Sequence, residues 1–456
     1  MLFQSQVFCL VFMPTILGVY WLFADRMAVR QWSLIAASLL FYGWWDVRFL
    51  PLLIGHALIT WLIAVEYKRT GRGFWIWIGI GLNLLSLGSF KYLSFLVESL
   101  EAASGLDLPT TEILLPIGIS FFTFQLISYL VDLKRGDAPV YGFRPFFLFA
   151  TFFPQLIAGP IVRHNQIISQ FTLDPRRPEA QYRFAAGALL FTIGFAKKIF
   201  IADRLVRVVD PVFEKATTGA LSFGEAWTGT LGFTFQLFLD FSAYTEMAIG
   251  LGLLFGFLLP ENFNRPYLAT SLRDFWRRWH ITLSTFLRDY VYIPFGGSQK
   301  GAAAYVMATL LTMGLCGLWH GAGWTFVAWG FFHGIGLVVC RAWQQTSFSM
   351  PAPLAWSITL LFVMIGWVLF RAVDFQSAIT VLTAAAGLNG FEGSLESSGL
   401  IAVAAVVSIG LPSAHTLIRN VLSPRPILAA ATALMLTVCV LESGNAPPAA
   451  FIYFQF

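Results

Sequence analysis

The chain has 456 residues, of which 57% are hydrophobic and only 12% charged, with 46 Phe and 16 Trp. That charged share is about half the roughly 25% of an ordinary soluble domain, so a soluble globule with a polar skin is excluded, as is disorder, which needs high charge and few aromatics. The net charge of +5 contains no Lys/Arg run suited to nucleic acid, and the long unbroken apolar runs are not the short alternating segments of a β-barrel.

The composition therefore predicts an all-α polytopic membrane protein. The first element, MLFQSQVFCLVFMPTILGVYWLF, lacks a basic n-region and a small-residue cleavage site. It reads as a retained first span, not a signal peptide. Apolar segments lie near residues 6–24, 29–47, 49–65, 73–90, 113–131, 143–161, 184–202 and 223–240. Others lie near 243–259, 303–318, 322–340, 354–371, 376–390, 398–418 and 426–441. Several are too short or too rich in Pro and Gly to cross alone. The expectation is roughly 11 or 12 transmembrane helices plus re-entrant segments.

Loop charges give an orientation. Arg26 and Arg30 fall in the first loop, Lys68, Arg69 and Arg72 in the third, and Lys134, Arg135 and Arg144 in the fifth. The fourth holds Glu98, Glu101, Asp107 and Glu112 against Lys91. This alternation places the odd loops in the cytoplasm and the N-terminus outside. Cys9, Cys316, Cys340 and Cys439 are scattered in apolar runs and read as reduced packing residues.

In FFPQLIAGPIVRHNQIISQF, residues 152–171, Pro154, Gly159 and Pro160 interrupt the apolar run. This predicts a broken or re-entrant segment, with His164 interfacial. Asp240 and Glu246 follow, in FQLFLDFSAYTEMAIGLGLLFG. Intramembrane carboxylates can mark an ion pathway. With Asn262, Asn264 and Arg265 close behind, an internal polar network is the favoured reading.

The densest polar stretch is ENFNRPYLATSLRDFWRRWHITLSTFLRDYVYIPFGGS, residues 261–298. Read as one helix, 273–290 is amphipathic. Arg273, Arg277, His280, Ser284 and Arg288 form one stripe, opposite Phe275, Trp276, Trp279 and Leu283. It is either an interfacial helix or the wall of a polar cavity whose arginines meet phosphates.

In GLCGLWHGAGWTFVAWGFFHG, residues 314–334, Gly321 and Gly323 loosen the helix just after His320. Irregular backbone at membrane depth needs protein or a cavity around it, so His320 is expected to face one of these and not lipid. His333 falls near the opposite helix face and reads as structural. His56 and His415 stand alone. No HExxH, no His/Cys metal spacing and no GxSxG occurs, so no metal site is expected.

Together, DFSAYTEMAIGLGLLFGF, ENFNRPY, DFWRRWHITLSTFLRDYVYIPFGG and GLWHGAGWTFVAWGFFHG resemble the membrane-bound O-acyltransferase family. Within it the resemblance is to the bacterial branch that O-acetylates exported polysaccharides such as alginate. LLPIGISFFTFQLISYLVD (114–132), FFPQLIAGPIVRHNQI (152–167) and the FIYFQF end add to it. The match covers most of 1–345, and 346–445 is similar in hydropathy only.

The resemblance implies a single membrane domain over 1–456, with a catalytic core near 113–345 and helices around a central tunnel. The family's signature histidine falls on His320 and its second polar position on His280. The resemblance also implies a cytoplasmic thioester donor, with no tightly bound cofactor. The acetyl group would cross the bacterial inner membrane toward a polysaccharide acceptor, with a separate extracytoplasmic acetyltransferase as partner.

Acyl transfer to a hydroxyl needs a base, and neutral imidazole, with a reference pKa of about 6.5, suits the role. His320 is the expected base, or less favourably an acyl-accepting nucleophile. His280 would assist by hydrogen bonding or by orienting the thioester carbonyl. Arg273, Arg277 and Arg278 would hold the phosphates of acetyl-CoA, and Asp240, Glu246 and Asn264 would form the supporting polar network. A secondary transporter or flippase is the rival class, but matching broken helices in two halves are not seen. D-alanyl transfer to a cell-wall polymer on the same fold stays open, as does a scaffold that recruits the extracytoplasmic enzyme.

Overall fold

A computed structural model describes residues 1–108, 113–421, 425–445, 449 and 451–452. Glu112 and residues 453–456 of the FIYFQF motif lie outside the described residues. Helices and turns make up the described residues, with no strand among them. That follows from the solvent: a bilayer offers no hydrogen bonds, so the backbone must bond within its own segment.

The helices in chain order are α1 (Phe8–Leu22), α2 (Met27–Gly43), α3 (Val47–Thr70), α4 (Phe74–Ser104), α5 (Ile119–Arg135) and α6 (Phe143–Thr151). Then come α7 (Ala180–Thr218), α8 (Phe223–Leu254), α9 (Leu272–Arg278), α10 (Ile281–Leu287), α11 (Ala302–His320) and α12 (Trp324–Gln344). The last are α13 (Ala352–Arg371), α14 (Phe375–Ala385), α15 (Ser398–Gly410), α16 (Ala414–Asn420) and α17 (Pro426–Asn445). Gly71 at φ 66° closes α3 and Gly136 at φ 85° closes α5, each in the left-handed region that stops a helix cheaply.

Among the described residues, 8 helices are long and apolar enough to cross a membrane, or 9 if α15 and α16, bent by 63°, count as one span. This is fewer than the 11 or 12 expected, for identifiable reasons. The segments at 223–240 and 243–259 are a single 32-residue helix, α8, 94% of whose most apolar window is buried inside the protein. The segment at 376–390 is an 11-residue helix, α14. The segment at 143–161 stops at Thr151 and gives way to short turns at Phe153–Leu156, His164–Ile167 and Ile168–Thr172. At 17 residues each, α2 and α5 are slightly short by the same measure.

The chain divides into two compact units. The first comprises Met1–Thr192, Thr245–Pro260 and Ser423–Asn445. Its core is an aromatic cluster in which Phe8, Phe12, Phe41 and Phe153 meet edge to face, stacked or tilted. Gly187 and Gly250 let α7 and α8 cross closely there, since a Cβ on Gly187 would stand 2.7 Å from the Gly250 carbonyl. The second unit comprises Ile193–Tyr244, Glu261–Leu422 and Ala446–Phe456. It holds both candidate histidines, and the fully buried Trp279, Trp329 and Trp367, of which Trp367 meets the other two.

Candidate active site

The expected continuous helix over 273–290 does not form. It ends at Arg278, passes through extended Trp279 and left-handed His280 (φ 42°), and restarts at Ile281. The preceding segment compensates the break. Asn264 N–H donates to the Arg278 carbonyl at 2.9 Å, and Ile281 N–H donates to the Asn262 carbonyl at 2.9 Å. Backbone groups freed from the helix thus find partners across the chain. His280 is consequently not on the basic face: it is fully buried.

The Asn262 side chain sets the state of that histidine. Its Oδ1 accepts from Thr282 N–H at 3.1 Å and Thr282 Oγ1 at 2.9 Å. An atom that accepts from a backbone N–H must be the oxygen, so the His280 Nδ1, 3.2 Å away, must donate to it. Neutral His280 therefore carries its proton on Nδ1. Its Nε2 lone pair is buried with no hydrogen-bond partner among the described residues.

His320 ends α11 and is 3% exposed. Gly321 and Gly323 form the turn into α12, so the loosening expected after His320 is a tight helical hairpin. Glycine is needed where the two helices touch. A Cβ on Gly317 would stand 2.2 Å from the Phe326 carbonyl, and one on Gly330 2.2 Å from the Met313 carbonyl. The Trp319 ring touches both imidazoles, at 5.9 Å from His280 and 4.9 Å from His320. Trp329 and Phe370 close the other sides of His320, each edge-on, at 5.1 and 5.2 Å. His333 is enclosed by Trp276, Trp329 and Phe362.

A cavity of about 590 Å³ opens beside these helices. Arg273, Arg288 and Arg341 line it, with Tyr305, Thr309 and Thr312 of α11 among its other walls. The Arg341 guanidinium lies 3.9 Å from the centre of the Tyr305 ring, which holds it in place. Of the arginines expected to meet phosphates, Arg273 lines this cavity. Neither exposed Arg277 nor Arg278, which pairs with Asp274 at 2.9 Å, is among the lining residues. Arg288 was visible as part of the sequence stripe, whereas Arg341 sits in an apolar run and gave no signal of its own.

The proposed supporting residues are dispersed. Asp240 is buried and paired with Lys198 at 2.8 Å, and Lys198 also reaches Asp203 at 2.7 Å. Glu246 is buried further along α8, within the first unit. Asn264 is exposed and contributes its backbone N–H, and Asn262 supplies the buried side chain. His164 is buried within the protein: Nε2 lies 3.2 Å from Asp132 and Nδ1 2.9 Å from the Tyr141 hydroxyl. Nor does His56 stand alone, since Asn83 and Ser86 hold its two ring nitrogens. His415 Nδ1 lies 3.8 Å from Glu261.

Buried imidazoles in a helical membrane chain, with an arginine-lined cavity beside the same helices, suit a membrane-embedded group-transfer enzyme. The chain belongs to the membrane-bound O-acyltransferase family, whose model matches residues 110–377, and it is an O-acyltransferase. It is 44% identical over 391 residues to a probable alginate O-acetylase of Pseudomonas putida, covering 83% of this chain and 79% of that protein. It is 40% identical over 427 residues to a peptidoglycan O-acetyltransferase of Helicobacter pylori, covering 86% and 80%. A teichoic acid D-alanyltransferase of Streptococcus thermophilus is 29% identical over 252 residues, covering 52% and 59%.

Proposed function

We propose that the protein takes an acetyl group from acetyl-CoA on the cytoplasmic side and passes it through the membrane for O-acetylation of an exported polysaccharide, alginate or a similar polymer. The reading places it in the bacterial inner membrane with its N-terminus outside, working with an extracytoplasmic acetyltransferase. One observation carries it. The arginine-lined cavity has Thr309 and Thr312 of α11 in its wall, and α11 ends at His320. Thr312 and His320 are two helical turns apart on one face, about 12 Å along the axis. Phosphates held by Arg273, Arg288 and Arg341 would leave a thioester arm free to run along that face.

His320 then acts as the base. It removes the proton of an attacking hydroxyl, whose oxygen forms the new ester bond as the C–S bond breaks. The proton passes from the imidazolium to the departing thiolate. Neutral His280 presents an Nε2 lone pair, so it assists as a hydrogen-bond acceptor. Orienting a thioester carbonyl would need a donor, which this tautomer does not offer at Nε2. The names of the relatives support acetyl transfer to an envelope polymer.

The test is His320→Ala in full-length protein that extracts and runs as folded material. Acetyl-CoA consumption coupled to polymer acetylation should vanish. Wild-type turnover by this variant would remove His320 from the mechanism. Thioester cleavage without transport of the polymer separates the enzyme from a transporter.

A further inference from the structure

Asp240 lies where a carboxylate is expensive, and a place in a supporting polar network does not say what it supports. Its surroundings do. Lys198 is 2% exposed in its side chain and bridges Asp203 at 2.7 Å and Asp240 at 2.8 Å. One cation between two carboxylates leaves surplus negative charge, and backbone N–H groups from a distant segment meet it. Ile452 N–H donates to Asp240 Oδ2 at 2.9 Å, and Ala449 N–H donates to Asp203. Two carboxylates thus grip one short segment at two points. Between those points Phe451 is fully buried, its ring 4.7 Å from Tyr244 and 5.8 Å from Phe241. Phe241 in turn meets the His280 ring edge-on at 4.7 Å.

We infer that the Lys198–Asp203–Asp240 cluster is a latch that docks the Ala449–Ile452 segment behind His280, which makes Asp240 a positioning residue for acyl transfer. An ion pathway, the other reading of a membrane carboxylate, requires hydrated space around it. Here Lys198 and the segment's amides occupy both carboxylates, and the Lys198 and Asp240 side chains are 2% and 4% exposed, with Asp203 at 16%. The segment packs on Phe241, which Phe263 also meets at 5.0 Å, and Phe241 packs on the imidazole that Asn262 holds at Nδ1. Loss of the latch leaves the arginine-lined cavity intact, so it should slow turnover without weakening donor binding.

The positioning role rests on the transfer reading above, and the latch itself does not. Both are tested in full-length protein with the native cysteines replaced. The Phe451→Cys thiol is labelled with a maleimide, and kinetics are measured separately with Phe451 intact. Asp240→Ala should speed labelling at least tenfold, and should lower kcat tenfold or more with KM for acetyl-CoA within twofold. Asp240→Asn keeps an acceptor oxygen for Ile452 and should lie closer to the unsubstituted protein in both readouts. Unchanged labelling overturns the latch. Unchanged kcat, or a KM that rises as far as kcat falls, overturns the positioning role. Transfer by His320→Ala would sink the transfer reading while leaving the labelling result to stand.

Discussion

Asn262 Oδ1 accepts three hydrogen bonds, one from His280 Nδ1 at 3.2 Å and two from Thr282, and so holds His280 in a single tautomer. Removing it frees the imidazole to carry its proton on Nε2 and takes the Asn262 acceptor away from Thr282 N–H in a buried site. Such a loss costs about 1–3 kcal/mol, or roughly fivefold to 150-fold in rate where it enters the barrier. Asn262→Leu should lower kcat by that amount. Asn262→Asp, which keeps the acceptor, should retain more activity. Equal kcat for Asn262→Leu and wild type in folded protein would show that the tautomer does not matter.

The cavity separates arginines that sequence alone grouped together. Arg288→Ala and Arg341→Ala should each raise KM for acetyl-CoA by about tenfold or more, as expected for losing a charge-assisted contact. Arg277→Ala, on an exposed side chain that does not line the cavity, should change KM less than twofold. Arg341→Lys keeps the charge but loses the planar group stacked on Tyr305, and should resemble Arg341→Ala more than wild type. The reverse ranking, with Arg277 dominant, would move donor binding away from this cavity.

Much of this was legible in the sequence. Apolar runs gave the helical class because a bilayer leaves the backbone few alternatives. His320 stood out because a histidine and two glycines interrupt an apolar run. The break at Trp279–His280 was not legible. The amphipathic spacing over 273–290 satisfies a continuous helix, and what breaks it is pairing with residues 262–264, which local periodicity cannot report. The same limit hid the partners of His164 and His56, which come from other helices and turns. It also hid the joining of 223–240 to 243–259, because Phe241 and Ser242 look like a boundary only until burial of the whole helix is known.

The α11–α12 hairpin should depend on its glycines. Gly317→Ala and Gly330→Ala would each put a methyl 2.2 Å from a backbone carbonyl that cannot move without the helix. Overpacking of this kind typically costs about 1–3 kcal/mol. Both variants should lower the thermal unfolding midpoint and, by shifting His320, lower turnover. Gly81→Ala, which meets nothing within 4 Å, is the control and should be neutral or slightly stabilising. A Gly317→Ala protein with unchanged midpoint and activity would contradict the close packing.

In the first unit, the Asp132–His164–Tyr141 chain should act on stability. His164 is 1% exposed, and with Nε2–H donating to Asp132, its Nδ1 accepts from the Tyr141 hydroxyl. His164→Ala removes a partner from both neighbours, while Asp132 stays buried, and should cost about 1–3 kcal/mol. Tyr141→Phe loses one bond to a half-buried hydroxyl and should cost about 0.5–1.5 kcal/mol. The double variant should cost less than the sum of the two, since both remove the same hydrogen bond. Thermal unfolding in one detergent ranks all three, and strict additivity would mean that the two side chains do not interact. Protein that survives as folded material should keep its kcat, because none of these residues touches His320 or His280.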